Sequence, residues 1–208
     1  MADKPDDIAH QTDVYFRKTK EIVGRFGDRE ATYAIFLRRP VISTPKLMID
    51  FLEGVAKTRR TKIKIELNCR EGQLVGAGEP LAYLTGSLEH LVDLETLYLQ
   101  KLGPACVAAY NAYEMCRALP RVAFLAMDAR HCAGPEMAEM MAYAAAVGSA
   151  AAKREGDAIG FIATPRTRPR IISAKRRASA RCRMRSSAMP ARPCARPRCI
   201  AKPIPMSR

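Results

Sequence analysis

Three side chains that can bind anions or move protons lie together at residues 128–131, directly after an apolar run. The run Val122-Ala-Phe-Leu-Ala-Met127 ends in Asp128, and Arg130 and His131 follow. A guanidinium binds a carboxylate or phosphate through two parallel hydrogen bonds, and an imidazole donates to phosphate oxygens. Two interpretations stay open: a ligand-binding segment, or a solvated, capped loop with an ordinary ion pair.

The elements around this segment predict a βαβ unit. An apolar run without alternation is typical of a strand buried on both faces, as in a parallel sheet. Gly134 and Pro135 predict the start of a helix that Gly156 ends, and residues 158–162 predict a second buried strand. The polar segment would then lie at the carboxyl end of a parallel strand, where such folds bind ligands.

The preceding residues predict an α+β layer with its own helices and strands. Helices are predicted from Thr12 or Asp13 until Gly24 and Gly27, from Ser43 to Val55, and from 88 to 119 with an interruption at Gly103-Pro104. Strands are predicted at 31–37, 62–68, 74–75 and 81–85, with Glu79 shaping the turn between the last two. The chain therefore divides into a disordered N-terminus at 1–9, an α/β layer at 10–119 and a parallel α/β segment at 120–162.

The net charge of +14 comes from the end of the chain. Residues 163–208 contain 14 Lys and Arg and no acid, which leaves 21 of the 35 basic residues to balance the 21 acidic ones. The body is thus neutral, and the tail is predicted to be disordered. A basic arm for nucleic acid is one interpretation of the tail.

Cysteine usage and hydropathy predict a cytoplasmic protein without a membrane span. The N-terminus is acidic and polar, unlike a signal peptide, and no apolar run is long enough to cross a bilayer. Four cysteines of the body show no CxxC spacing, which predicts buried free thiols and no metal site: Cys69, Cys106, Cys116 and Cys132. Cys182, Cys194 and Cys199 in the tail are likewise not interpreted as metal ligands.

Five short motifs between residues 12 and 162 resemble the nicotinate phosphoribosyltransferase family in their order and spacing. They are Thr12-Asp-Val-Tyr-Phe16, Gly78-Glu-Pro80, Leu94-Glu-Thr96, Asp128-Ala-Arg-His131 and Ile159-Gly-Phe-Ile162. The resemblance implies an α/β fold in which an open sandwich precedes the first strands and helix of a type II phosphoribosyltransferase β/α barrel, truncated here. It also implies a homodimer in which the N-terminal segment of one subunit completes the partner's active site.

The reaction that the resemblance implies joins nicotinate to 5-phosphoribosyl 1-pyrophosphate and releases pyrophosphate and nicotinate mononucleotide. ATP hydrolysis is coupled to this reaction, and Mg²⁺ is the implied metal cofactor. The resemblance makes Arg130 and His131 candidates for binding carboxylate or phosphate. Tyr15, with Phe16 as a second candidate, would stack on the pyridine ring from the partner subunit, and Arg17 or Lys18 would meet phosphate. The alternative interpretations without a ligand are a surface ion pair for Arg130 and a hydrophobic staple for Tyr15. A nicotinamide or quinolinate phosphoribosyltransferase remains an alternative, as does a small nucleic-acid-binding protein that uses the tail.

The tail also predicts a reading-frame error near residues 162–164. When the last base of each codon is joined to the first two of the next, residues 181–191 can spell Thr-Met-Pro-His-Ala-Leu-Ile-Gly-Tyr-Ala-Gly, and residues 177–180 can spell Gly-Leu-Gly. The recovered glycine, threonine and histidine resemble the family's phosphate-handling loop, whose histidine is linked to ATP. The chain as written is therefore expected to lack most of the barrel and that histidine, and to be inactive.

Overall fold

The computed structural model describes Ile8 and residues 10–163, which form five α-helices and seven β-strands. The helices are α1 (Val14–Phe26), α2 (Lys46–Thr58), α3 (Leu88–Leu91), α4 (Glu95–Ala118) and α5 (Pro135–Glu155). The strands are β1 (Glu30–Phe36), β2 (Val41–Ile42), β3 (Ile63–Leu67), β4 (Leu74–Val75), β5 (Pro80–Ser87), β6 (Ala123–Leu125) and β7 (Gly160–Ala163). The predicted disorder of the tail concerns residues outside this part of the chain.

An antiparallel sheet with strand order β1-β5-β3 forms the first layer. Side chains alternate along its strands, so one face packs on α2 and α4, whose apolar residues recur at helical spacing. The core between these layers includes fully buried Met48, Leu52, Leu84 and Leu102. Strands β2 and β4 form a separate short antiparallel pair. Although β4 and β5 are adjacent in sequence, they therefore belong to different sheets.

The predicted βαβ unit is confirmed, since β6 and β7 pair in parallel and α5 connects them. Helix α5 begins at Pro135 after Gly134, whose φ of 89° suits glycine, and ends before Gly156. A second core between α4, α5 and these strands contains Tyr113, Val147 and Phe124.

The prediction that β6 is buried on both faces is wrong for the described residues. Leu125 is 59% exposed and Ile162 on β7 is 57% exposed, because helix α5 covers only one face of the two-stranded sheet. Within residues 10–163, each of these strands pairs only with the other. A continuous apolar run indicates a strand with both faces packed against other elements. Here the face of β6 opposite α5 packs against none of the described elements.

The predicted interruption at Gly103-Pro104 is also wrong. Helix α4 runs through Pro104, where the missing N–H removes one helical hydrogen bond, because tight burial of Leu102, Ala105 and Cys106 outweighs that loss. The regular α-helical hydrogen bonding is instead interrupted by a 3-10 segment, Val92–Leu94, between α3 and α4.

Two smaller expectations for the N-terminal region differ from the structure. Gly24 lies inside α1, and Gly27 alone ends that helix. Ile8, assigned above to a disordered terminus, is buried in the first core. The turn predicted for Glu79 is confirmed, because its carboxylate accepts a hydrogen bond from Gly76 N–H at 3.0 Å.

Candidate functional site

The polar segment after β6 forms a 3-10 turn, Asp128–His131, at the carboxyl end of that strand. The β6–β7 ladder continues past Leu125, since Ala126 N–H donates to Ala163 O at 3.1 Å. The chain then leaves the sheet and turns into α5. The polar side chains consequently lie at the edge where parallel α/β sheets bind ligands.

Arg130 and His131 are both exposed in this turn. Within the described part of the chain, neither side chain forms an ion pair or a hydrogen bond. The alternative interpretation, an ordinary surface ion pair for Arg130, therefore has no acidic partner among these residues. Asp128 accepts instead from the Cys132 thiol, through its backbone oxygen at 3.3 Å and its Oδ2 at 4.0 Å. The guanidinium and imidazole remain available to an anion.

Asp128 also lines a cavity of about 640 Å³ between α4, α5 and the β6–β7 pair. A cavity of this size can accommodate a small organic ligand. Its walls are largely apolar, and Asn111 is the second residue of the wall with a polar side chain. Asn111 escaped the sequence analysis, although a single amide within the Ala-rich run 105–112 is a usable signal.

The cavity's remaining wall consists of apolar side chains and backbone from three elements. They are Pro104, Val107, Ala108, Ala112 and Met115 of α4, Met141 and Ala145 of α5, and Ala126 and Phe161 beside the strands. The cavity therefore suits the apolar face of a ring better than a fully ionised group.

The second group of candidate residues lies at the start of α1. Tyr15 is 57% exposed, and Arg17 and Lys18 are exposed as well. Partial burial, followed by the negative charges of Asp13 and Glu95, raises the pKa of the Tyr15 phenol, which is therefore neutral at physiological pH. Phe16 is buried beneath Tyr15, with ring centroids 4.0 Å apart, and cannot stack on a ligand.

Thr96 at the start of α4 fixes the entry into α1. Its hydroxyl donates to Asp13 Oδ2 at 3.0 Å and lies 3.4 Å from the Thr12 hydroxyl oxygen. Asp13 occupies the position before α1, but its side chain makes no capping hydrogen bond to that helix. The predicted cap of Thr12 or Asp13 is thus replaced by a link between two motifs that lie 84 residues apart.

A buried carboxylate, Asp93, holds α1 and α2 in place. Arg59 binds it with two hydrogen bonds of 2.7 and 2.8 Å, and Lys20 contributes a third at 2.7 Å. Burial alone would raise the pKa of Asp93, but the hydrogen bonds and charges of Arg59 and Lys20 outweigh it and hold the pKa below its ordinary value. Sequence inspection missed this group because Asp93 lies inside a leucine-rich helical pattern.

The single chain does not join the two groups of candidate residues. Helix α1 packs against α3 and Val92–Leu94, whereas the Asp128–His131 turn packs against α5. Among the described residues, no hydrogen bond, ion pair or ring contact connects Tyr15, Arg17 or Lys18 with Arg130 or His131. Their meeting across two subunits stays a prediction.

The described residues contain neither a cluster of metal ligands nor a helix that could span a membrane. The described part of the chain contains no group of three or more His, Cys, Asp or Glu side chains able to hold a metal ion. Within residues 10–163, none of the helices combines the length and the apolar character that crossing a bilayer requires. Cys69, Cys106 and Cys116 are buried free thiols, as predicted, and Cys132 is partly buried.

Two solved structures are similar in fold to this chain. The structure of human nicotinic acid phosphoribosyltransferase matches 67% of this chain with a TM-score of 0.53 at 20% sequence identity. Nicotinate-nucleotide pyrophosphorylase from Pyrococcus furiosus matches 71% of the chain with a TM-score of 0.50 at 22% identity. No family model matches the sequence, and no curated protein matches it either.

These matches confirm the fold that the motifs imply, an α/β arrangement shared with phosphoribosyltransferases. The chain spans 34% of the human enzyme's structure and 39% of the archaeal one. No closed barrel forms among the described residues, in which β6 and β7 are the only parallel pair. At this level of identity the likeness concerns the fold.

Proposed function

We propose that this chain is part of a phosphoribosyltransferase that forms a pyridine nucleotide, with nicotinate as the acceptor. The observation that carries the proposal is the exposed Arg130–His131 pair at the carboxyl end of β6, which has no ion pair or hydrogen bond to the other residues that the structure describes. In the reaction, the pyridine nitrogen bonds to the anomeric carbon of 5-phosphoribosyl 1-pyrophosphate while the bond to pyrophosphate breaks. Such a site has to hold anions, which suits a guanidinium and an imidazole.

The proposed roles divide between the two groups of residues. Arg130 binds a carboxylate or phosphate in a bidentate manner, and His131 donates to a phosphate oxygen. Tyr15 of a second subunit stacks on the pyridine ring, and Arg17 or Lys18 of that subunit binds phosphate. The exposure of all five side chains, combined with their separation within one chain, supports a site shared between two subunits of a homodimer.

The proposal includes ATP and Mg²⁺ only because the resemblance to the family implies them. When bound, they would supply the free energy of ATP hydrolysis to the transfer. The described residues offer no carboxylate cluster for the metal, so no step is assigned to it here. The buried thiols at Cys69, Cys106 and Cys116 support a reducing compartment, and we infer a cytoplasmic location from them.

A reading-frame error near codon 163 would account for the change in composition after β7. The proposal has a direct test in the DNA. A single-base change close to that codon is expected to open a long frame that encodes the glycine, threonine and histidine recovered above. If no such change opens one, the reading-frame proposal is wrong.

The enzymatic proposal is tested with the frame-corrected protein, because the chain as written is expected to be inactive. Nicotinate, nicotinamide and quinolinate are each supplied with 5-phosphoribosyl 1-pyrophosphate, with and without ATP, and the mononucleotide product is measured. We expect product from nicotinate and a faster rate with ATP. Product from quinolinate or nicotinamide alone would assign the chain to one of the alternative acceptors, and no product from any ring would refute the proposal.

The basic tail favours a second candidate, a nucleic-acid-binding protein, because 14 basic residues without an acid attract phosphate. Binding of the full chain at low salt does not separate the two candidates, since any strongly basic chain binds under that condition. Deletion of residues 163–208 does separate them. A nucleic-acid protein loses its function on deletion, whereas the proposed enzyme needs the tail replaced by the in-frame sequence.

A further inference from the structure

Strand β3 exposes one edge of the antiparallel sheet. In the order β1-β5-β3, it pairs with β5 and with no other strand of the described residues. Asn68 N–H donates to Leu81 O at 2.9 Å, which directs the backbone groups of the even-numbered residues toward β5. The N–H and C=O groups of Ile63, Ile65 and Leu67 consequently point away from the sheet, where a further strand can bind them.

A groove of about 270 Å³ runs along this open edge beneath α2. Ile63 and Ile65 line it from the strand, and Leu52 and Ala56 line it from the helix, with Glu53, Lys57 and Thr61 as the polar part of its wall. Leu67 belongs to the same set of outward-bonding residues and is 45% exposed. An added strand would place its apolar side chains into this groove and cover Leu67.

We propose that β3 of a second copy of this chain occupies the edge, antiparallel, with the two-fold axis at Ile65. In this register Ile65 lies opposite the partner's Ile65, and Ile63 lies opposite the partner's Leu67. These are the residues whose backbone groups point outward, so each opposed pair exchanges two hydrogen bonds. The partner's Leu67 then packs next to Ile63 on the apolar side of the groove, and the two sheets become one.

Charge selects this register over its neighbours. Lys64 Nζ lies 2.9 Å from Glu66 Oε1 on the outer face of β3, and both side chains are exposed. Antiparallel pairing about Ile65 puts Lys64 opposite the partner's Glu66, and Glu66 opposite the partner's Lys64. Opposite charges at such positions stabilise a sheet. An axis at residue 66 would oppose the two Glu66 side chains, and an axis at residue 64 would oppose the two Lys64 side chains, although it would also pair Glu66 with the partner's Lys62. The axis at Ile65 is the one of the three that pairs opposite charges without opposing like charges.

Edge lysines usually discourage pairing, because their charge has no counterpart on an incoming strand. Here the same strand of a second copy supplies that counterpart. The contact involves neither α1 nor the Asp128–His131 turn, so it is independent of the proposed function.

The test uses the full 208-residue chain and a charge exchange at two exposed positions. Sedimentation equilibrium over a wide concentration range is expected to show concentration-dependent association, to dimers through this contact alone and to larger assemblies where the homodimer of the proposed function also forms. Lys64→Glu and Glu66→Lys should each raise the dissociation constant about tenfold, because two cross-strand pairs per dimer change from opposite to like charge. The double variant K64E/E66K should restore the original constant, since its strand is again self-complementary. Circular dichroism establishes that each variant remains folded.

Three outcomes would overturn the proposal. If the chain stays monomeric at every concentration, the β3 edge does not pair with a second copy. A dimer that responds to none of the variants uses another surface. Two weakened single variants without recovery in the double variant would exclude pairing about Ile65.

Discussion

The antiparallel sheet and the parallel β6–β7 pair bury their apolar side chains to different extents. In the sheet, β5 has a neighbour on each side, and its Leu84 is fully buried against the helices. In the parallel pair, one face packs on α5 while Leu125 and Ile162 on the other face stay more than half exposed. Antiparallel strands close locally through short connections, whereas a parallel unit needs further strands to cover its second face.

The largest expected effect is the difference in stability loss between two leucine-to-alanine substitutions, one in each region. Leu84→Ala should lower the free energy of unfolding by about 4 kcal/mol, because the site is enclosed and leaves a cavity. Leu125→Ala should change it by less than about 0.5 kcal/mol, because most of that side chain already contacts water. Urea denaturation of both variants measures the difference. Equal losses would show that the face of β6 opposite α5 is covered in solution.

The next effect concerns the buried ion pair that holds α1 and α2. Asp93→Asn should cost about 3 kcal/mol, because Arg59 and Lys20 lose a buried counter-charge. Asp50→Asn is the matched control, since Asp50 pairs with Lys46 on the exposed surface, where an ion pair contributes little. A small effect in both variants would mean that water replaces the Asp93 carboxylate at low cost.

The same carboxylate should give the protein a pH-dependent stability. The folded-state pKa of Asp93 lies below its ordinary value, so its contribution is complete above the ordinary carboxyl range. That contribution is lost as pH falls through the folded-state pKa. Urea unfolding between neutral and acidic pH should therefore show a steeper decline for the natural sequence than for Asp93→Asn. Parallel curves would contradict the assignment.

A smaller effect is expected where the two regions meet, at the crossing of α4 and α5. A Cβ added at Gly148 would lie 2.1 Å from the backbone oxygen of Ala109, so Gly148→Ala must push the helices apart. We expect a loss of about 2 kcal/mol, even though alanine favours a helix. Gly24→Ala is the control, because nothing lies within 4 Å of that position, and it should stabilise the protein by up to about 1 kcal/mol. Thermal unfolding of both variants decides whether the close crossing exists.

Local sequence signals were sufficient for the elements that carry their own boundaries. Gly134, Pro135 and Gly156 delimit α5 correctly, and alternation identifies β3. Pro104 misled the prediction for α4, because the burial of neighbouring side chains, which is a tertiary effect, outweighs the local penalty. The apolar run at β6 predicted two covered faces, a property that depends on strands contributed from elsewhere.

The candidate site was predictable in part for the same reason. The position of Arg130 and His131 after β6 follows from the end of an apolar run. The link from Thr96 to Asp13, the triad around Asp93 and the cavity beside Asn111 each depend on residues far apart in sequence. No local sequence pattern indicates such contacts. The sequence therefore predicted the position of Arg130 and His131, but not the contacts that hold α1 in place.

The central claim is that the end of β6 binds an anionic group of the substrates. Its most direct test is kcat/KM for nicotinate mononucleotide formation by the frame-corrected protein, compared between Arg130→Ala and Arg121→Ala. Arg121 is also exposed and lies before β6, at the opposite end of the strand from the polar turn. Arg130→Ala should lower kcat/KM about a hundredfold, because a donor to developing or bound negative charge is lost. Arg121→Ala should leave kcat/KM unchanged, and an Arg130→Ala enzyme with full activity would contradict the claim.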